Sequence, residues 1–178
     1  MKISKILLIT GIVAIALSSC QKQPVYPNYP VITFKSFTSY GPDSAHIVVN
    51  FTDGNGELGY PSNDQNQPPT IYYEWMYLPK DSTTFIPYIS ISGKGDTSYS
   101  ILPYNISSLT PTGKDKGISG EIQLKLSNTT GLSGDSTWYA PFPIYTDAPS
   151  IIEFKVWVVD RNGIKSNVVT STPFTVPN

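Results

Sequence analysis

The chain has 178 residues, and its 12 Lys and Arg against 13 Asp and Glu give a formal net charge of −1. No stretch concentrates Lys or Arg, which argues against nucleic-acid binding, because that function needs a basic surface for the phosphates. The single cysteine excludes an internal disulfide. Frequent Tyr, Gly and Pro, with 12, 13 and 16 copies, favour short strands joined by turns over long helices.

The N-terminus has the pattern of a bacterial lipoprotein signal peptide over residues 1–19. Two lysines precede an apolar run at 6–17, which at about 12 residues is shorter than the roughly 20 needed to span a bilayer. Ser18 and Ser19 supply the small residues that a lipobox places before its cysteine. We therefore predict that Cys20 is lipidated and that its acyl chains hold the protein on a membrane. An ordinary secretory signal is the alternative.

Cleavage after residue 19 leaves 159 residues, enough for one domain with its own core. Loss of the two lysines from the 12 basic residues leaves 10 against 13 acidic residues. Residues 20–29 carry two prolines and no apolar periodicity, which predicts a lipidated cysteine followed by an extended tether. The folded domain is predicted over residues 30–178.

Apolar and polar residues alternate along this domain with the period of a β-strand that has one buried face. The pattern predicts strands at 31–39, 47–51, 71–77, 85–92, 97–104, 122–126, 152–158 and 168–176. Eight short strands separated by turns predict an antiparallel, immunoglobulin-like β-sandwich, with a closed barrel as the alternative. Trp75 lies on the inward face of its strand and is predicted in the core. Pro173 predicts that the last strand is a sheet edge, since proline cannot donate to a ladder.

Two turns rich in oxygen ligands, residues 53–59 and 160–163, follow two of these strands. In an immunoglobulin-like sandwich they lie at the same end, so their oxygens can converge. Oxygen ligands at every second residue are typical of calcium loops, although the spacing differs from that of an EF-hand loop. The alternative is that Asn and Gly supply tight turns, and Asn162-Gly163 favours a type I′ hairpin. The candidate ligands for a structural calcium ion are Asp53, Asn55, Glu57, Asp160 and Asn162.

Two segments resemble uncharacterised lipoproteins that are abundant in Bacteroidota. Residues 51–59 read Phe-Thr-Asp-Gly-Asn-Gly-Glu-Leu-Gly, and residues 158–167 read Val-Val-Asp-Arg-Asn-Gly-Ile-Lys-Ser-Asn. Asn55 stands where the family usually has its middle acid. The resemblance implies a fibronectin III or immunoglobulin-like domain on the outer membrane, at its periplasmic face or the cell surface. Gln21 after Cys20 resembles the signal for sorting to that membrane.

Three Asp-Ser segments, at 43–45, 81–83 and 135–137, resemble the short O-glycosylation motif of exported Bacteroidota proteins. Asp-Ser pairs are also ordinary turn residues, so both interpretations stay open.

Catalysis is not expected from this sequence. His46 is the sole histidine, is predicted on an outward strand face, and has no Ser, His and acid constellation around it. A glycosidase needs two placed carboxylates, and the glutamates of this chain are spread over different strands and loops. We therefore predict a protein that is not an enzyme.

Aromatic residues supply the candidate ligand contacts. Trp157 falls on the charged face of its strand, so strict alternation exposes it. Residues 127–149 contain Trp138 and Tyr139, exceed what a plain connector needs, and either hold another edge strand or fold back over Trp157. Exposed aromatic rings suit protein partners or sugars. We predict a binding or structural module of the cell envelope that contacts a protein partner. A glycan-binding lipoprotein of a polysaccharide-uptake system is the alternative.

Overall fold

The computed structural model describes residues 25–41, 44–60, 67–91, 97–99, 101–109, 117–127 and 151–176. The predicted signal peptide, Cys20, Trp138 and Tyr139 lie outside these ranges. Within them no helix occurs, so the described residues include none that is long and apolar enough to cross a membrane.

The described residues form eleven β-strands. They are β1 (Val31–Ser39), β2 (Ser44–Asp53), β3 (Ile71–Leu78), β4 (Ile86–Pro87), β5 (Ile89–Ile91), β6 (Thr97–Tyr99), β7 (Ile101–Tyr104), β8 (Ile118–Ser127), β9 (Ile151–Val158), β10 (Val169–Thr170) and β11 (Phe174–Thr175).

These strands pair antiparallel in three sheets. The first has the order β1-β2-β8, and β2 pairs along its whole length with β8. The second has the order β10-β9-β3-β4, with β11 also on β9 and β7 also on β3. A two-stranded sheet joins β5 to β6. The described part of the protein is therefore all-β and sandwich-like, which confirms the predicted fold class at this level.

The hydrophobic core draws its side chains from both larger sheets, because each strand turns every second residue inward. On β2 the buried apolar residues are Ala45, Ile47, Val49 and Phe51, and on β9 they are Ile152, Phe154, Val156 and Val158. Trp75 of β3 is buried among them, with its ring edge-on to Phe154 at a centroid distance of 4.7 Å. The prediction that Trp75 belongs to the core is confirmed.

Three of the predicted strands are interrupted in the structure. The 85–92 and 97–104 segments each form two short strands, and the last segment divides into β10 and β11 with Pro173 in the gap. Both β10 and β11 pair with β9 at the margin of the sheet, as the proline predicts. Met76 departs from simple alternation, because it faces away from Trp75 and is nevertheless buried.

The strands run between two ends of the molecule. The register pairs Thr52 with Val31, Asp53 with Ile118, and Ile71 with Val158. Residues 53–60 and 159–164 follow these positions and are joined by a hydrogen bond from Arg161 N to Glu57 O, so they lie at one end, which we call the loop end. The turns after β1 and β3 lie at the opposite end.

Candidate functional site

The loop end is built from two turns with the same sequence pattern, Asp-x-Asn-Gly. In the first turn, after β2, Asp53 accepts hydrogen bonds from the backbone amides two and four residues ahead. These are Asn55 N at 3.3 Å and Glu57 N at 2.9 Å. The Asn55 side chain accepts from the same Glu57 amide at 3.1 Å, and Gly56 takes a positive φ of 65°. Asp53 therefore holds its own loop in place.

The second turn, after β9, repeats this device. Asp160 Oδ1 accepts from Asn162 N at 2.9 Å and from Ile164 N at 2.8 Å, again two and four residues ahead. Gly163 has a positive φ of 77°, whereas no described residue other than glycine does. The prediction of a type I′ hairpin at Asn162-Gly163 is therefore wrong, because that turn needs positive φ at both positions. The Asp160 carboxylate holds Asn162 in a different turn.

Arg161 joins the two turns. Its guanidinium donates from Nε to Glu57 Oε2 at 2.8 Å, and Nη2 lies 2.7 Å from the same oxygen. It also donates to the carbonyl oxygens of Gly59 and Gly56 and to Ser108 Oγ. The backbone amide of Arg161 donates to Glu57 O at 2.9 Å. Residues 104 positions apart in the chain are thus fastened together.

Two carboxylates of this end are buried. Burial raises the pKa of Asp53, and the negative charges of Asp160 and Glu57 raise it further, while the amide hydrogen bonds lower it. Asp160 Oδ2 and Thr70 Oγ1 are buried with no hydrogen-bond partner in the part of the chain that the structure describes.

The five predicted calcium ligands lie on the two turns of the loop end, and the side chains of Asp53, Asn55, Glu57 and Asp160 have other partners. Both oxygens of Asp53 accept backbone amides, Asp160 Oδ1 does the same, and Glu57 is paired with Arg161. Among the described residues no group of three His, Cys, Asp or Glu side chains is arranged to hold a metal ion. Calcium at this end stays a prediction.

The end of the predicted tether packs on the same loops. Pro27 O accepts from Gly54 N at 2.6 Å, and Asn28 O accepts from the Asn55 side chain at 3.3 Å. A Cβ atom at Gly54 would lie 2.4 Å from Tyr26 O, so only glycine admits this close approach. Residues 26–28 therefore belong to the packed domain rather than to an extended tether.

Trp157 lies on the outward face of the larger sheet, as predicted, and is half-buried. Its ring stacks on Tyr72, the residue opposite it on β3, at a centroid distance of 5.7 Å and an angle of 8°. Lys165 Nζ lies 4.3 Å from the centre of the same ring. Lys165 pairs with Val159 beyond β9, on the edge that does not carry β3. The two neighbours of the ring therefore come from opposite sides.

His46 has a local structural environment. Its ring lies edge-on to Tyr40 at 4.7 Å, and its Nδ1 atom is hydrogen-bonded to the Gln123 side chain. Of the three Asp-Ser segments only 81–83 is described throughout. There Ser82 Oγ accepts from Thr84 N at 3.0 Å, which is a turn contact.

Sequence reasoning overlooked three contributors to these sites: Arg161, Ser108 and Lys165. Both loops contain the pattern Asp-x-Asn-Gly, which indicates that the two turns are alike. Arg161 is the second residue of this pattern in the later loop. Ser108 gave no signal, because its role depends on the bridge that pairs Tyr60 with the neighbouring Ser107.

Comparison of the chain with protein families, with curated proteins and with solved structures finds no match.

Proposed function

We propose that this chain is a lipid-anchored, non-catalytic module of the cell envelope whose immunoglobulin-like sandwich binds a protein partner. Cys20 is the anchor, and the N-terminal pattern supports the outer membrane, at its periplasmic face or the cell surface. The two sheet orders, β1-β2-β8 and β10-β9-β3, support the immunoglobulin-like assignment. In such domains the first, second and fifth strands face the third, sixth and seventh.

The observation that carries partner binding is the Trp157–Tyr72 pair on the outward face of the larger sheet. The two rings are parallel and half-buried. Stacking holds them rigid, so they lose little conformational entropy when a partner packs on them. Tyr and Trp are enriched at protein interfaces for this reason.

Glycan binding is the second candidate, and the surroundings of Trp157 weigh against it. A sugar stacks on a free aromatic face, whereas Tyr72 and Lys165 flank this ring from opposite sides. A glycan would have to displace the Lys165 ammonium group. The other predicted sugar contacts, Trp138 and Tyr139, lie outside the described residues.

The test is cross-linking and capture from solubilised envelopes with the full lipidated chain. A specific protein should be captured by the wild type and lost with Trp157→Ala. Tyr40→Ala is the matched control, because Tyr40 is an exposed aromatic at the opposite end. Saturable binding on a glycan array that is lost with Trp157→Ala would instead favour sugars. An unmodified Cys20 thiol in the mass spectrum of the native protein would refute the anchor.

A further inference from the structure

We infer that the loop end of the sandwich rests on the surface of the bilayer and places exposed apolar side chains in its interfacial region. The partner of this surface is a lipid leaflet. The inference depends on the proposed lipid anchor at Cys20 and adds the orientation of the domain on that anchor.

The path of the chain brings the loop end close to the anchor. Residues 26–28 are held on the loop end by Pro27 O and Gly54 N, and by the Tyr26 hydroxyl, which donates to Ser119 Oγ at 3.1 Å. The chain from Cys20 to Tyr26 spans at most about 20 Å, at roughly 3.3 Å per residue. The ten residues of β2 extend about 30 Å away from this end. The opposite end is therefore directed away from the membrane when the loop end approaches it.

Exposed apolar side chains are present in the described loops of this end. The exposed fractions are 89% for Val25, 51% for Tyr29, 42% for Leu109 and 42% for Ile164. Leu109 is held beside Leu58 by a backbone hydrogen bond of 3.2 Å, and Ile164 closes the Asp160 turn. Singly exposed apolar residues are ordinary, but several on the loops nearest an acyl anchor suit the membrane interface, where Tyr is also enriched.

The charges of these loops also permit contact with a leaflet. Residues 25–30, 53–60, 105–109 and 159–164 contain three carboxylates, Asp53, Glu57 and Asp160. Asp53 and Asp160 are buried, and Glu57 is paired with Arg161. The described part of the loop end therefore turns its negative charges inward, away from lipid headgroups.

The experiment uses the full lipidated chain in vesicles of phosphatidylethanolamine and phosphatidylglycerol that contain a shallow spin-labelled quencher lipid. Leu109→Cys and Ile164→Cys each carry an environment-sensitive dye, and acylation of Cys20 leaves the new thiol as the one that reacts. Tyr40→Cys and Ile86→Cys are the controls, because both positions are exposed at the opposite end. All four positions are exposed, so the substitutions leave the core intact.

We expect a blue shift and about twofold quenching at positions 109 and 164, as for side chains at the headgroup boundary, and neither change at 40 and 86. Equal quenching at all four positions, or none at 109 and 164 in chains that float with the vesicles, would overturn the orientation and leave the anchor standing. Chains that do not float would overturn the anchor and the orientation together.

Discussion

The guanidinium of Arg161 donates hydrogen bonds to four different residues, of which Glu57 alone carries a charge. Two of the other acceptors are backbone carbonyls of the 53–59 loop. The Arg161 and Glu57 side chains are only 21% and 24% exposed, so their pair is poorly screened by solvent. Arg161 thus supplies the positive charge that neutralises Glu57 at the loop end.

Replacing Arg161 should measurably destabilise the fold. We predict that Arg161→Ala lowers the free energy of unfolding by about 2 kcal/mol, because Glu57 and two carbonyls lose their donor. Arg161→Lys should recover only part of this loss, since one ammonium group cannot reach all of the guanidinium's acceptors. Urea denaturation gives the values.

The control for Arg161 is the Lys35–Glu121 pair, whose side chains are 46% and 52% exposed. Lys35→Ala should cost less than about 1 kcal/mol, as is usual for surface pairs. If Lys35→Ala and Arg161→Ala lowered the free energy of unfolding equally, the structural role assigned to Arg161 would be contradicted.

Calcium offers a separate test of the same residues. If calcium binds at this end, the melting temperature should be higher with millimolar calcium than with a chelator, and the rise should disappear in Glu57→Gln. Equal melting temperatures in the two buffers would end the calcium prediction.

Gly54 determines whether the N-terminal segment can dock. We predict that Gly54→Ala releases residues 26–28, because its Cβ would meet Tyr26 O at 2.4 Å and Pro27 O at 2.6 Å. Hydrogen exchange should then accelerate at residue 54, whose amide is bonded to Pro27 O. Gly41→Ala is the control, since only its positive φ of 86° opposes a side chain there. Unchanged exchange at residue 54 would contradict the docking.

At the scale of the strands, two serines replace part of the ladder on β9. Ser166 N donates to Val158 O at 2.9 Å, and Ser166 Oγ accepts from Val158 N at 3.0 Å. Ser171 makes the same two bonds with Phe154, at 2.8 Å and 2.9 Å. Each serine thereby satisfies both backbone groups of a buried residue, Ser166 ahead of β10 and Ser171 in the gap after it.

The neighbouring Asn167 performs a similar task between the two sheets. Its side-chain amide accepts from Ile32 N at 2.9 Å and donates to Ile32 O at 2.8 Å. It therefore pairs with β1 as a strand would. The 158–167 segment thus contributes structural contacts through Lys165, Ser166 and Asn167.

Removing the hydroxyl group of Ser166 or Ser171 should destabilise the fold. We predict that Ser166→Ala and Ser171→Ala each lower the free energy of unfolding by about 1–3 kcal/mol, because a buried N–H loses its acceptor. Thr172→Ala, at an exposed position, should change it by less than about 0.5 kcal/mol. Thermal and urea unfolding measure all three. A neutral Ser171→Ala would mean that the Phe154 amide finds another acceptor.

For the whole molecule, buried carboxyl groups link stability to pH. The pKa of Asp53 is raised chiefly by burial, and burial also raises the pKa of Glu153. A carboxyl group with a higher pKa in the folded state binds its proton more tightly there than in the unfolded chain. Its contribution to stability is complete below the unfolded pKa of about 4 and is lost as the pH rises through the folded pKa.

We therefore predict that the free energy of unfolding contains a component that falls as the pH rises above about 4, and that Asp53→Asn removes part of it. Urea denaturation at a series of pH values gives the slope for each protein. Glu153→Gln should likewise reduce the fall in the free energy of unfolding as the pH rises. Identical slopes in the wild type and Asp53→Asn would contradict the shift assigned to Asp53.

Much of the sheet structure could be predicted because its signal is local. Alternation every second residue marked the buried faces of β2, β3 and β9, and the predicted 31–39 strand coincides with β1. Alternation did not predict the burial of Met76, because that burial depends on which residues pack on the outward face of β3. It also could not locate the gap between β10 and β11, because Ser171 pairs with Phe154 there through its side chain.

By itself, the sequence determined that residues 31–176, where the structure describes them, are all-β and that Trp75 is a core residue, because strand periodicity depends on neighbouring positions. Tertiary structure alone decided the partner of the Glu57 carboxylate. Asp53 and Asp160 bind amides within their own turns, whereas Glu57 meets an arginine 104 residues away. A contact at that separation exists only once the two sheets have packed and brought their loops to one end.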